Sequence, residues 1–185
     1  MKNIIVENKK REYIADIIKS ICEKYRFNKV NNDELSKVTG KVYSLDSKLI
    51  IKSDSDILIK DAEVISLVYQ ICNLLNIDAI IKINIGSIKY DKLKEYLDLL
   101  EINFEIDDKI KTDEYAYEVY SNDVKLGEGC KSHASIDLEK VIKEIEDNGT
   151  NIPVEENIDV LFTAEADRSK AARGQELRGM RRCIR

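Results

Sequence analysis

Lys48–Leu75, KLIIKSDSDILIKDAEVISLVYQICNLL, is the stretch on which the fold turns. Leu49, Ile50 and Ile51 make an apolar run short enough for a strand. Ser53, Asp54, Ser55 and Asp56 follow as a polar hinge suited to turn-making and capping. Beyond them Val64, Ile65, Val68, Ile71, Cys72 and Leu75 recur at helical spacing. That spacing predicts a helix over 61–75, with Asp61 as its N-cap and Glu63 placing negative charge in the first turn, where the helix dipole favours it. A buried strand handing over to an amphipathic helix predicts a hub on which the flanking segments pack.

Toward the N-terminus, Ile14, Ile17, Ile18, Ile21, Cys22 and Tyr25 predict a helix over Asn8–Tyr25. Phe27–Val30 reads as a short strand, Asn31-Asn32-Asp33 and Gly40 as turns, and Val42–Leu45 and Lys48–Lys52 as strands joined across Asp46-Ser47. Toward the C-terminus, Ala79–Ile85 is apolar and β-branched enough for a central strand, which Gly86 ends. A helix over Ile88–Leu100 and an edge strand at Phe104–Ile106 come next. Tyr115–Tyr120 and Val124–Leu126 read as a hairpin across Ser121-Asn122-Asp123, with Tyr115, Tyr117 and Tyr120 on one packed face. Ile136–Ile145 is helical and is closed by Asp147-Asn148-Gly149. The expected organisation is a main domain over 1–149, a linker over 150–157 containing the single Pro153, and a short extension over 158–185. That extension reads as a strand at Ile158–Thr163 and a helix at Ala166–Leu177.

The 185 residues are 43% hydrophobic and 35% charged, enough for a core within a soluble domain. No 18-residue apolar stretch predicts a membrane span, and the N-terminal apolar run is too short for a signal peptide, so a cytoplasmic protein is expected. Cys22, Cys72, Cys130 and Cys183 form no C-x-x-C pair, which fits reduced thiols. Cys130 and His133 make one C-x-x-H pair with no second pair to complete four ligands; no metal is expected, and His133 reads as a solvated turn residue. The net charge is −5, yet Ile158–Arg185 holds seven basic residues against four acidic ones. An acidic body with a basic end argues against a general nucleic-acid binder, so RNA is not an expected partner.

Leu49–Leu67 and the Lys82–Ile85 strand resemble the catalytic fold of histidyl-tRNA synthetase. In that family a strand and a small-polar hinge lead into an Asp-Ala-Glu-Val-Ile type helix start, matched here by Asp61, Ala62, Glu63, Val64 and Ile65. The first helix with Glu23–Val30 is similar to the element through which class II synthetases dimerise, and Ile158–Met180 resembles the strand and helix after the catalytic domain. The resemblance implies an α/β (α+β) domain with a mixed, mostly antiparallel class II aminoacyl-tRNA synthetase-like sheet flanked by helices, assembled as a homodimer.

The departures bear on chemistry. Residues 31–48 alone bridge what is a much longer insertion in the family, and no Arg lies between Arg26 and Arg168. Lys109–Tyr117 stands where an Arg-Gly-Leu-Asp-Tyr-Tyr type run binds histidine, keeping Tyr115 and Tyr117 without the Arg and Gly. Gly129–His133 stands for a Gly-Gly-Arg-Tyr-Asp type run and keeps Gly129. Lys does not reproduce the planar two-pronged grip of Arg, and adenylate formation needs cations fixed where charge develops. No catalytic residue or cofactor is therefore assigned. Glu63, Lys111, Tyr115, Tyr117 and Lys131 are the ligand contacts the resemblance implies. A non-catalytic relative, the regulatory subunit of short-form ATP phosphoribosyltransferase, fits this pattern; it implies the transferase and histidine as partners. A minimal enzyme activating an amino acid with ATP, and a structural dimer module without ligand, are the other two readings.

Overall fold

The computed structural model describes residues 2–54 and 57–148. The described residues from Ile14 onward form one compact unit. Residues 1–13 belong to a second, whose described part is the opening of helix α1 (Lys2–Lys24). The extension over 158–185 and the 150–157 linker lie outside the described residues.

Eight strands form one sheet in the order β1-β2-β3-β8-β7-β6-β4-β5. They are β1 (Asn28–Lys29), β2 (Val42–Leu45), β3 (Lys48–Lys52), β4 (Ala79–Ile85), β5 (Phe104–Ile106), β6 (Tyr115–Ser121), β7 (Val124–Cys130) and β8 (His133–Asp137). Among the described residues only the two edge pairs, β1/β2 and β4/β5, are parallel. The sheet is thus mixed and mostly antiparallel, as expected, and helices α2 (Leu58–Leu74), α3 (Lys92–Leu99) and α4 (Leu138–Asp147) complete the unit. No described helix is long and apolar enough to cross a membrane.

The hub is where the periodicity put it. Leu49 and Ile51 of β3 are fully buried, and α2 buries Ala62, Val64, Ile65, Leu67, Val68, Ile71 and Cys72. Each fully buried Leu or Ile contributes about 1.5–3 kcal/mol of apolar transfer. Helix α2 begins at Leu58, one turn before the expected start, with Ile57 at the N-cap position. Asp61 is therefore no cap: it lies inside the first turn, 5% exposed. Its place is one turn before Ile65 on the buried stripe, so burial of that stripe carries the carboxylate inward.

Helices α1, α2 and α3 stop in the same way. Arg26, Asn76 and Glu101 have φ of 64°, 56° and 56°, the left-handed conformation after a helix end. The next residues, Phe27, Ile77 and Ile102, donate their N–H back to Cys22, Cys72 and Leu97. Those three residues are buried apolar, which completes the hydrophobic contact of a Schellman motif.

Three further expectations change. The helix expected over Ile88–Leu100 is a short 3-10 turn at Ile88–Tyr90 followed by α3. Strand β7 runs on to Cys130, and β8 occupies a segment read as turn and helix, so that α4 starts at Leu138. Gly127 and Gly129 lie in the part of β7 beyond the expected strand end at Leu126. They sit inside the strand because a Cβ at Gly129 would collide with the Tyr117 phenol and the His133 carbonyl. Finally, Tyr115 and Tyr117 share the buried face of β6, but Tyr120 does not. It is three residues from Tyr117, an odd step that turns it to the opposite face; there its hydroxyl donates to Glu118 at 2.8 Å.

Candidate functional site

The turn joining β7 to β8 holds two residues, Lys131 and Ser132, with φ of 44° and 60°. Two-residue hairpin turns of this hand favour Asn-Gly, because a side chain in the left-handed region costs about 1–2 kcal/mol. Three contacts fix it here. The Ser132 N–H donates to Tyr115 Oη at 3.1 Å, its Oγ donates to Asp61, and its carbonyl accepts from the Ser53 N–H at 2.9 Å. Ser132 is 2% exposed, so each of these bonds is made out of water. Strain retained against such a surround is characteristic of functional sites.

Above this floor lies a cavity of about 390 Å³ lined by Ser53, Leu58, Asp61, Lys89, Tyr90, Glu114 and Lys131. The residue after β3 supplies Ser53, the first turn of α2 supplies Leu58 and Asp61, the β5–β6 loop Glu114, and the hairpin turn Lys131. Lys131 Nζ pairs with Glu114 at 2.5 Å across the mouth. The Tyr90 ring meets Tyr115 edge-on at 4.9 Å, and Lys89 Nζ lies 5.5 Å from the Tyr90 ring centre. Burial, then the negative charge of Asp61, raise the Tyr115 phenol far above its ordinary value; burial, then Cys130, do the same for Tyr117. Both rings act as neutral hydrogen-bonding groups. The cavity presents two carboxylates and two ammonium groups and no guanidinium, a set that complements a small zwitterion and lacks a forked grip for phosphate.

Comparison with solved structures places this architecture. The chain is similar to apo histidyl-tRNA synthetase from S. aureus, with a TM-score of 0.66 and 16% identity over 81% of this chain and 69% of that one. The fold is class II synthetase-like. The sequence matches no family model and no curated protein.

On the class II synthetase-like frame, two of the five residues implied as ligand contacts meet at this cavity. Lys131 lines it, and Tyr115 lies beneath it, bonded to Ser132. Tyr117 is one step deeper, buried, its hydroxyl donating to the His133 carbonyl at 3.2 Å. Lys111 is exposed in the β5–β6 loop and is not among the lining residues. Glu63 is two residues along α2 from Asp61, which turns it about 200° away; it pairs with Lys41 in a different cleft. Of the hinge residues, Asp54 accepts from the Gly40 N–H at 2.5 Å, a contact fourteen residues apart in sequence, and Ser55 and Asp56 lie outside the described residues.

Asp61, Ser132, Ser53, Lys89, Tyr90 and Glu114 were not singled out as contacts from the sequence. For Asp61 a signal existed, since a carboxylate on the apolar stripe of a buried helix needs a partner. His133, expected in a turn, is in β8 opposite Cys130 and Lys52. Partial burial, then Lys52, lower its pKa below 6.5, so it is neutral at pH 7. Among the described residues no group of three His, Cys, Asp or Glu side chains could hold a metal ion.

Proposed function

We propose that this protein is a non-catalytic histidyl-tRNA synthetase-like subunit that regulates ATP phosphoribosyltransferase, with a small zwitterion such as histidine as the ligand of the Asp61 cavity. The observation that carries the reading is the cavity's composition. It keeps a built polar floor and mixed charge, but holds no Arg to stabilise a developing phosphate charge. A site of this kind supports binding without adenylate chemistry. A homodimer through α1 and β1 is part of the same reading, on the resemblance of Glu23–Val30 to the class II dimerisation element.

The test is the turnover of a short-form ATP phosphoribosyltransferase catalytic subunit with this protein titrated in. Stimulation that saturates, and that histidine reverses, is the expected outcome. Unchanged turnover at saturating protein rejects the regulatory role, and a monomer in sedimentation at micromolar concentration rejects the dimer. A ligand that binds the native state raises its melting temperature, so histidine at 100 times its Kd should stabilise by about 2.7 kcal/mol.

A further inference from the structure

The side of α2 turned away from Asp61 carries a second cleft, of about 450 Å³. Ile59, Glu63, Ser66 and Gln70 fall on one stripe of α2 and form one wall. Lys24, Tyr25 and Arg26 at the end of α1, Lys41 before β2, and Leu100 at the end of α3 form the rest.

The floor of the cleft is already bonded. Tyr25 Oη donates to Gln70 Oε1 at 2.8 Å, Gln70 Nε2 donates to Ser66 Oγ at 3.1 Å, and Lys41 pairs with Glu63 while lying 4.7 Å over the Phe27 ring. Two kinds of group are left over. Lys24 and Arg26 make no ion pair among the described residues, although the protein carries a net charge of −5. Ile59 and Leu100 are apolar and yet 57% and 47% exposed. The negative end of the α1 dipole, about half a charge, is outweighed by these two cations.

We propose that this cleft binds a small organic anion, whose carboxylate or phosphate pairs with Lys24 and Arg26 and whose apolar body covers Ile59 and Leu100. The volume lies in the range of roughly 300–1,000 Å³ found for small-molecule sites. The forked guanidinium of Arg26 matches either anion with two hydrogen bonds, and Lys24 adds a point charge. Covering Ile59 and Leu100 removes apolar surface from water, which supplies affinity without further polar contacts.

Arg26 also provides a clean test, because its φ of 64° is one that glycine adopts without strain. The probe is 8-anilinonaphthalene-1-sulfonate, an anion with an apolar body, titrated by fluorescence into the full chain at several protein concentrations. Because Lys24 and Arg26 lie in the Glu23–Val30 element proposed to dimerise, probe affinity that falls as the dimer forms overturns the proposal in favour of a second copy as the occupant. One saturable site is expected. Arg26→Gly should weaken it about tenfold, the loss of one charge-assisted interaction, while the melting temperature stays level or rises. Lys24→Gln should weaken it in the same direction. Displacement by octanoate assigns the site to carboxylates, and displacement by AMP assigns it to phosphates. Undiminished probe affinity in Arg26→Gly overturns the proposal. Displacement by neither competitor overturns it as well, in favour of an acidic protein segment as the occupant.

Discussion

Ser132 donates its hydroxyl to the Asp61 carboxylate, tying the β7–β8 turn to the first turn of α2 across 71 residues of sequence. Asp61 and Ser132 are 5% and 2% exposed, so neither group has water as a full alternative. Both also belong to the mixed-charge cavity, Asp61 as lining and Ser132 as its floor. The stability of the turn and the shape of the site therefore depend on the same bond.

Ser132→Ala removes that bond and keeps the left-handed backbone strain, a loss of about 1–3 kcal/mol. Ser132→Gly removes the same bond but relieves the strain, so its loss should be the smaller. Urea denaturation of the two variants checks the order; an Ala variant more stable than the Gly variant contradicts it.

Glu101 has φ of 56° at the end of α3, where Gly is favoured. Glu101→Gly should stabilise by about 0.5–1 kcal/mol, the relief of αL strain less the added entropy of the unfolded chain. A higher midpoint with an unchanged m-value is the expected result.

Gly129→Ala should cost about 1–3 kcal/mol, because the new methyl meets Tyr117 and the His133 carbonyl within the sheet. Near-ultraviolet circular dichroism should report the displaced Tyr117 ring. An unaltered spectrum with unaltered stability refutes the close approach.

Cys22 and Cys72 are buried thiols pushed up from 9.0 to about 12, by burial first and, for Cys22, by Glu23 next. Their native pKa values are above those of the unfolded chain, so the native state holds protons that the unfolded state releases. The stability this contributes is fully present below pH 9 and is lost between pH 9 and about 12. Each group adds a slope of about 1.4 kcal/mol per pH unit in that window. In a Cys183→Ser variant at pH 8, Cys130, which is exposed, should react at once with a disulfide reagent. Cys22 and Cys72 should react only in denaturant; rapid native reaction of all three contradicts their burial.

The sequence by itself determined the hub, seven of the eight described strands and the class of fold. The alternation in β3 and β4, and the stripe from Val64 to Leu75, are local periodicities, and burial of one face follows from them directly. The first three helices were expected to end at Tyr25, Leu75 and Leu100, each one residue past the observed end, but the left-handed residue and returning N–H that close each of them came from the structure. Tertiary structure alone decided the site. Strand β8 exists because Lys48–Lys52 offers it a ladder on one side and Gly127–Cys130 on the other; its own residues carry too little pattern to announce it. That pairing sets the strained turn against Tyr115 and Asp61, and so places Lys131 over the cavity. The phase of a helix likewise shows which residues share a face, but not what the face meets. Asp61 and Glu63, two residues apart, went to different clefts because packing fixed the orientation of α2 between them.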